Sequence, residues 1–115
     1  MPNLTNLRIH IAPVGYEIDR VVLPAKKMRA DKVFLLVHEN PSQDKATKFY
    51  DSIDKKLQKL NIETEKVYHN RLDLFQIIKS VKELIQSQSN DSVYVNLASG
   101  SKIQSVACMM ACQMF

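Results

Sequence analysis

No apolar run in this 115-residue chain approaches the roughly 20 residues needed to cross a bilayer, so no membrane partner is expected. The N-terminus lacks the basic-then-apolar pattern of a secretory signal. Cysteine occurs twice, at Cys108 and Cys112, a spacing that shares one helix face. No His or acidic residue nearby completes a metal set, so the pair reads as reduced packing residues of a cytoplasmic protein. Neither a metal nor a cofactor is expected. The motifs G-x-G-x-x-G, G-x-x-x-x-G-K-[ST] and G-x-S-x-G are all missing. Gly100-Ser101-Lys102 superficially looks like the end of the second, but the first glycine is absent and no Ser or Thr follows the lysine. Glycine is scarce as well. It occurs only at Gly15 and Gly100, which confines unusual backbone conformations to two places.

The composition is that of one soluble globular domain, 45% apolar and 24% charged. A net charge of +4 would tolerate an anionic ligand or nucleic acid. The basic residues are nevertheless dispersed. Lys26, Lys27 and Arg29 form the densest cluster, while Lys45, Lys48, Lys55, Lys56 and Lys59 alternate with Asp44, Asp51 and Asp54, as on a solvated helix face. Basic patches interleaved with aromatics, as in single-strand binders, are absent.

The periodicity predicts four strands alternating with four helices. Leu7 to Ala12 is the first strand, closed by Pro13-Val14-Gly15. A helical stretch follows from about Glu17 to Arg29, with Pro24 inside it and a kink or a break expected there. Lys32 to Val37 is a fully buried strand. Asn40 and Pro41 then serve as cap and first residue of a helix running to about Leu60, with Phe49, Ile53, Leu57 and Leu60 at helical spacing. Ile62 to Tyr68 alternates as a half-exposed edge strand does. A helix from about Leu72 to Gln88 carries Leu74, Ile77, Ile78, Val81, Leu84 and Ile85 on one stripe, with Asp73 at its start. Val93 to Leu97 reads as an interior strand, buried on both faces, and the helix after it runs to the end of the chain.

This rhythm implies an α/β fold: a Rossmann-like three-layer sandwich with a parallel sheet in the order 3-2-1-4. In that order the chain reverses direction between the first and fourth strands, and ligands bind beyond the strand ends at that crevice. Two loops flank it, Pro13-Val14-Gly15-Tyr16 and Ala98-Ser99-Gly100-Ser101-Lys102, and together they hold both glycines. A helix opening after Gly100 presents unpaired N–H groups to an anion, and Lys102 adds a positive charge. A junction capped by Ser99 or Ser101 accounts for the same turn without any ligand. His10, inside the first strand, reads as a core or sheet-face residue. His38 and His69, at the ends of the second and third strands, are expected with Asn40 and Arg71 on a polar rim of the ligand edge.

From Ile103 to Phe115 there is no charged residue. One helix face covers the sheet, and the other, with Met109 and Cys112, is apolar enough to expect a covering partner. The pattern stops without a helix-stop signal, which suggests a domain cut from a longer protein.

Ile-Ala-Pro-Val-Gly-Tyr-Glu at 11–17, Asp19-Arg20-Val21-Val22, Ala30 to Leu36, and Val95-Asn96-Leu97-Ala98-Ser99-Gly100-Ser101-Lys102 together resemble the CRISPR-associated Rossmann fold (CARF) domain. The sequence is most similar to archaeal transcriptional regulators that join this domain to a C-terminal winged helix. The resemblance implies a homodimer around the last helix and a cyclic oligoadenylate bound across its axis. Pro13, Val14, Gly15 and Tyr16 would then line the pocket with Ala98, and Ser99, Gly100, Ser101 and Lys102 would hold phosphates. The winged helix is not in this chain, so DNA binding falls to a C-terminal domain beyond it. Three functions compete: a non-enzymatic sensor, a ring nuclease cleaving the cyclic oligoadenylate, and a dimerisation module with no ligand. Few proton-transfer groups are expected at the crevice, which favours the sensor and leaves no residue assigned as catalytic.

Overall fold

The computed structural model describes residues 6–39, 45–69, 73–88 and 90–114. Asn40 and Arg71, and the capping role expected of Asn40 with Pro41, fall outside these residues. Four strands, β1 (Arg8–Pro13), β2 (Lys32–His38), β3 (Glu63–His69) and β4 (Ser92–Val95), form one sheet in the order β3-β2-β1-β4. Every pairing is parallel, with Ile11 opposite Phe34 on one side and Val95 on the other. This is the predicted order. Of the four helices, α1 (Asp19–Lys27), α2 (Tyr50–Lys59) and α3 (Leu74–Ser87) supply the crossovers, and α4 (Lys102–Met114) follows β4. A short 3-10 segment, Lys45–Phe49, leads into α2.

The two central strands are buried almost throughout, Ile9–Pro13 and Val33–His38, because both their faces are covered. Ala12, Val33, Leu35 and Val37 pack with Val21, Val22, Ala25, Ile53 and Leu57 of α1 and α2. Ile9, Ile11, Phe34 and Leu36 pack with Ile77, Ile78 and Val81 of α3 and with Ala107, Cys108 and Ala111 of α4. Without a glycine to end them, α1 and α2 use Arg29 and Asn61 in the left-handed region, at φ 55 and 61°. Ala30 N–H reaches Ala25 O and Ile62 N–H reaches Leu57 O, which satisfies carbonyls at the two helix ends.

One alternative falls away and one expectation needs correction. Pro24 does not divide the stretch into two short helices, since α1 is a single helix from Asp19 to Lys27. The carbonyl it leaves without a helical donor belongs to Arg20, and the Asn96 side chain supplies the missing bond from Nδ2 at 2.7 Å. β4 is an edge strand rather than an interior one. With β1 its sole neighbour among the described residues it is only half-buried, Tyr94 is 43% exposed, and Leu97 lies in the following turn, 41% exposed.

Candidate ligand-binding crevice

β1 and β4 run side by side and in the same direction, so the loops that follow them open at the same end of the sheet. Val14 N–H continues the ladder by donating to Leu36 O, and Asn96 N–H donates to Ile11 O. The chain then turns away on each side, and the two glycines meet in the gap. A Cβ placed on Gly15 would lie 2.7 Å from the Gly100 nitrogen and 3.0 Å from its Cα. Gly100 itself has φ +80°, and a Cβ there would overlap Pro13 and come within 2.6 Å of Gln104 Oε1. Only glycine fits at either point.

The loop after β4 is tied down from two directions. Asn96 Oδ1 accepts from Ala98 N–H at 2.8 Å while its Nδ2 holds the Arg20 carbonyl. Arg20 Nη1 donates to Ala98 O at 3.1 Å, and its Nε is paired with Glu17 at 2.6 Å. At the head of α4, Ser101 Oγ accepts from Gln104 N–H at 3.3 Å and Gln104 Oε1 accepts from Ser101 N–H at 2.8 Å. This is a reciprocal capping box, and Ser101 is the cap. It uses two of the exposed donors at this end and leaves the Lys102 and Ile103 N–H groups without an intrahelical acceptor.

Two shallow adjoining depressions, about 310 and 320 Å³ out to open solvent, lie on either side of Gly100. The first is lined by Val14, Gly15, Tyr16, Ala46, Gly100, Ser101 and Gln104. The second is lined by Tyr16, Glu17, Arg20, Ala98, Ser99 and Gly100. Tyr16 stands between them, 58% exposed, with its ring edge-on to Phe49. Ser99 is buried, and its Oγ has no hydrogen-bond partner among the described residues. Pro13 is buried beneath Gly100. Lys102 is exposed on the first turn of α4 and lines neither depression.

The family described as “HFX_2341_N:-like, N-terminal” matches residues 8–115. The chain belongs to that family. It is similar to the uncharacterized protein MJ1513 of Methanocaldococcus jannaschii, with 33% identity over 104 residues that cover 86% of this chain and 31% of that protein. The chain therefore spans less than a third of that relative's length. Among solved structures it is similar to Can2 from Sulfobacillus thermosulfidooxidans in complex with cyclic tetra-adenylate, at TM-score 0.78 and 14% identity, covering 93% of this chain and 29% of that one. It is also similar to the protein VC1899 from Vibrio cholerae, at 0.77 and 18%, covering 93% and 28%. A third is a type III CRISPR defence DNA nuclease activated by cyclic oligoadenylate, at 0.71 and 16%, covering 96% and 18%. At these identities the likeness is one of fold.

In this member of the family the expected histidine rim is not a surface feature. His38 and His69 are register partners on β2 and β3, 4% and 1% exposed. His69 is also nearer the crevice than a count of strands suggests, with Nε2 2.9 Å from Gln104 Nε2. The reason is that α4 packs over β1 and β2, so its first turn faces the end of β3 across the top of the sheet. His10 is a buried sheet-face residue beside Tyr94, their ring centroids 5.5 Å apart. Of the two cysteines, Cys108 is buried, where desolvation pushes its thiol up to about 12, whereas Cys112 is exposed. Four crevice residues were not assigned to the site from the sequence: Glu17, Arg20, Ala46 and Gln104. The Ser101-x-x-Gln104 spacing was a signal for the last.

Proposed function

We propose that this chain is a CARF-type sensor domain that binds a cyclic oligoadenylate, without cleaving it, at the crevice of a homodimer. The observation that carries the reading is the contact of Gly15 with Gly100. Where two residues without side chains meet at the reversal point of a parallel sheet, the floor of the crevice is bare backbone. A phosphodiester ring can lie close to such a floor, with first-turn N–H groups of α4 and the Ser99 hydroxyl as donors. Lys102 and Arg20 supply positive charge at the margins. The shared fold with Can2 in complex with cyclic tetra-adenylate, and with a nuclease activated by cyclic oligoadenylate, supports this choice of ligand class.

The sensor is preferred to a ring nuclease because of what surrounds the crevice. Glu17 is engaged by Arg20, and His69 is buried behind Gln104, so neither is placed to move a proton on a bound ring. α4 supports the dimer. Val106, Met109, Met110 and Met114 are 37 to 61% exposed on a helix whose residues after Lys102 are uncharged. In this reading the ring lies across the two-fold axis and changes how the two chains sit together. An effector such as a C-terminal winged helix would read that change as a transcriptional regulator. Incubation with cyclic tetra-adenylate, scored for binding and then for linear product, separates sensor, nuclease and ligand-free dimerisation module.

A further inference from the structure

The capping box at the head of α4 reaches one residue beyond what a cap requires. Gln104 is 3% exposed, and both ends of its amide are engaged. Oε1 receives the Ser101 N–H at 2.8 Å, and Nε2 lies 2.9 Å from His69 Nε2. A main-chain N–H can only donate, so the atom facing Ser101 is the oxygen. The NH2 group then faces the imidazole, where it can only donate. Both ends of the Gln104 amide are satisfied when His69 Nε2 accepts, which leaves the ring neutral with its proton on Nδ1, an atom that makes no hydrogen bond among the described residues. A proton on Nε2 would set N–H against NH2. Turning the amide over would instead set NH2 against the Ser101 N–H. Either way a buried donor loses its acceptor.

We infer that His69 is a positioning residue for the crevice: its neutral imidazole holds the Gln104 amide, and through it the Ser101 turn, and releases both when protonated. Gln104 and Ser101 line the first depression together with Gly100, so this release alters the wall of the site. The consequence for ligand affinity rests on the cyclic oligoadenylate reading above, whereas the coupling of His69 to Ser101 does not. Among the described residues, β2 brings His38, the register partner of His69, and the residue after it, Glu39, donates its N–H to His69 O. α3 brings its cap Asp73, and α4 brings Lys102, exposed at its start, with Cys108 buried further along. The first turn of α3, residues 74–78, is uncharged, and its charges begin at Lys79.

The test follows the Ser101 amide and the His69 ring by NMR in the whole chain, from about pH 7.5 downward through the titration of the ring itself. The Ser101 signal should move with the same midpoint as the His69 ring. Affinity for cyclic tetra-adenylate should fall on the order of tenfold over that range, as expected for one lost buried hydrogen bond. His69→Gln, an acceptor that does not titrate, should flatten the profile. Gln104→Glu should invert it, because a carboxylate accepts from both the Ser101 N–H and an imidazolium. A Ser101 amide indifferent to His69 protonation, or a wild-type pH profile in His69→Gln, overturns the inference. If the ring does not bind at all, the ligand reading fails while the amide titration still decides the role of His69.

Discussion

The Asn96 side chain completes a hydrogen bond that Pro24 denies to Arg20. Pro24 has no N–H for the carbonyl four residues earlier, and Asn96, at the end of β4, donates to that carbonyl at 2.7 Å. The same amide receives Ala98 N–H through Oδ1, so one side chain joins α1 to the loop that carries Gly100. Asn96→Ala should cost about 0.5–1.5 kcal/mol, the net range for a hydrogen bond whose groups water can reach. Pro24→Ala restores a helical donor, so in the Asn96→Ala background it should recover part of the loss, whereas alone it should gain little. Denaturant unfolding of the four-member cycle measures the coupling. Additive effects would mean that the proline and the asparagine are unrelated.

Much of the architecture is legible in the sequence because its signals are local or periodic. The strand–helix rhythm gives the sheet order, and the two glycines mark the crevice. What could not be read depends on distant partners. Nothing near Arg20 in the chain indicates that Asn96 will take its carbonyl. The apolar run Val93–Leu97 suggests an interior strand, but burial of β4 depends on how many strands flank it, and among the described residues only β1 does. The sheet order sets β3 two strands away from β1, and nothing in the sequence near His69 shows that α4 will bring Gln104 to it.

Substitution at the glycines should damage the crevice before the rest of the fold. Gly100→Val combines strain at φ +80° with overlap of Pro13, and should abolish binding of cyclic tetra-adenylate. Gly15→Ala should weaken it, since the added methyl meets the Gly100 backbone. Lys102→Ala should do less, about 1–3 kcal/mol for a lost charge-assisted contact. Calorimetric titration of the three variants ranks them, and unchanged affinity in all would move the site elsewhere.

Burial of His10 predicts a stability that depends on pH. Desolvation lowers its pKa from the ordinary 6.5, and its Nε2 has no partner among the described residues. Above 6.5 the ring is neutral whether the chain is folded or not, and this contribution is fully present. As pH falls through that value the unfolded chain binds a proton that the folded chain refuses, so stability drops until the lower, folded pKa is reached. His10→Leu should show a shallower fall than the wild type over this window. Equal slopes in denaturant unfolding at several pH values would remove His10 from the account.

The exposed apolar face of α4 predicts a dimer in solution. Met109 is 46% exposed there, and Met109→Asp should yield monomers. Sedimentation of the wild-type chain at tens of micromolar, the order expected to populate a weak interface, decides the matter. A monomeric wild type would contradict the interface.

The central claim is that two chains share one ring and leave it whole. Isothermal titration of the chain with cyclic tetra-adenylate, followed by chromatography of the same sample after long incubation, tests both halves together. The account predicts saturation at one ring per two chains and recovery of the ring intact. Absence of binding, saturation at one ring per chain, or multiple-turnover release of linear product that Lys102→Ala abolishes would each contradict it.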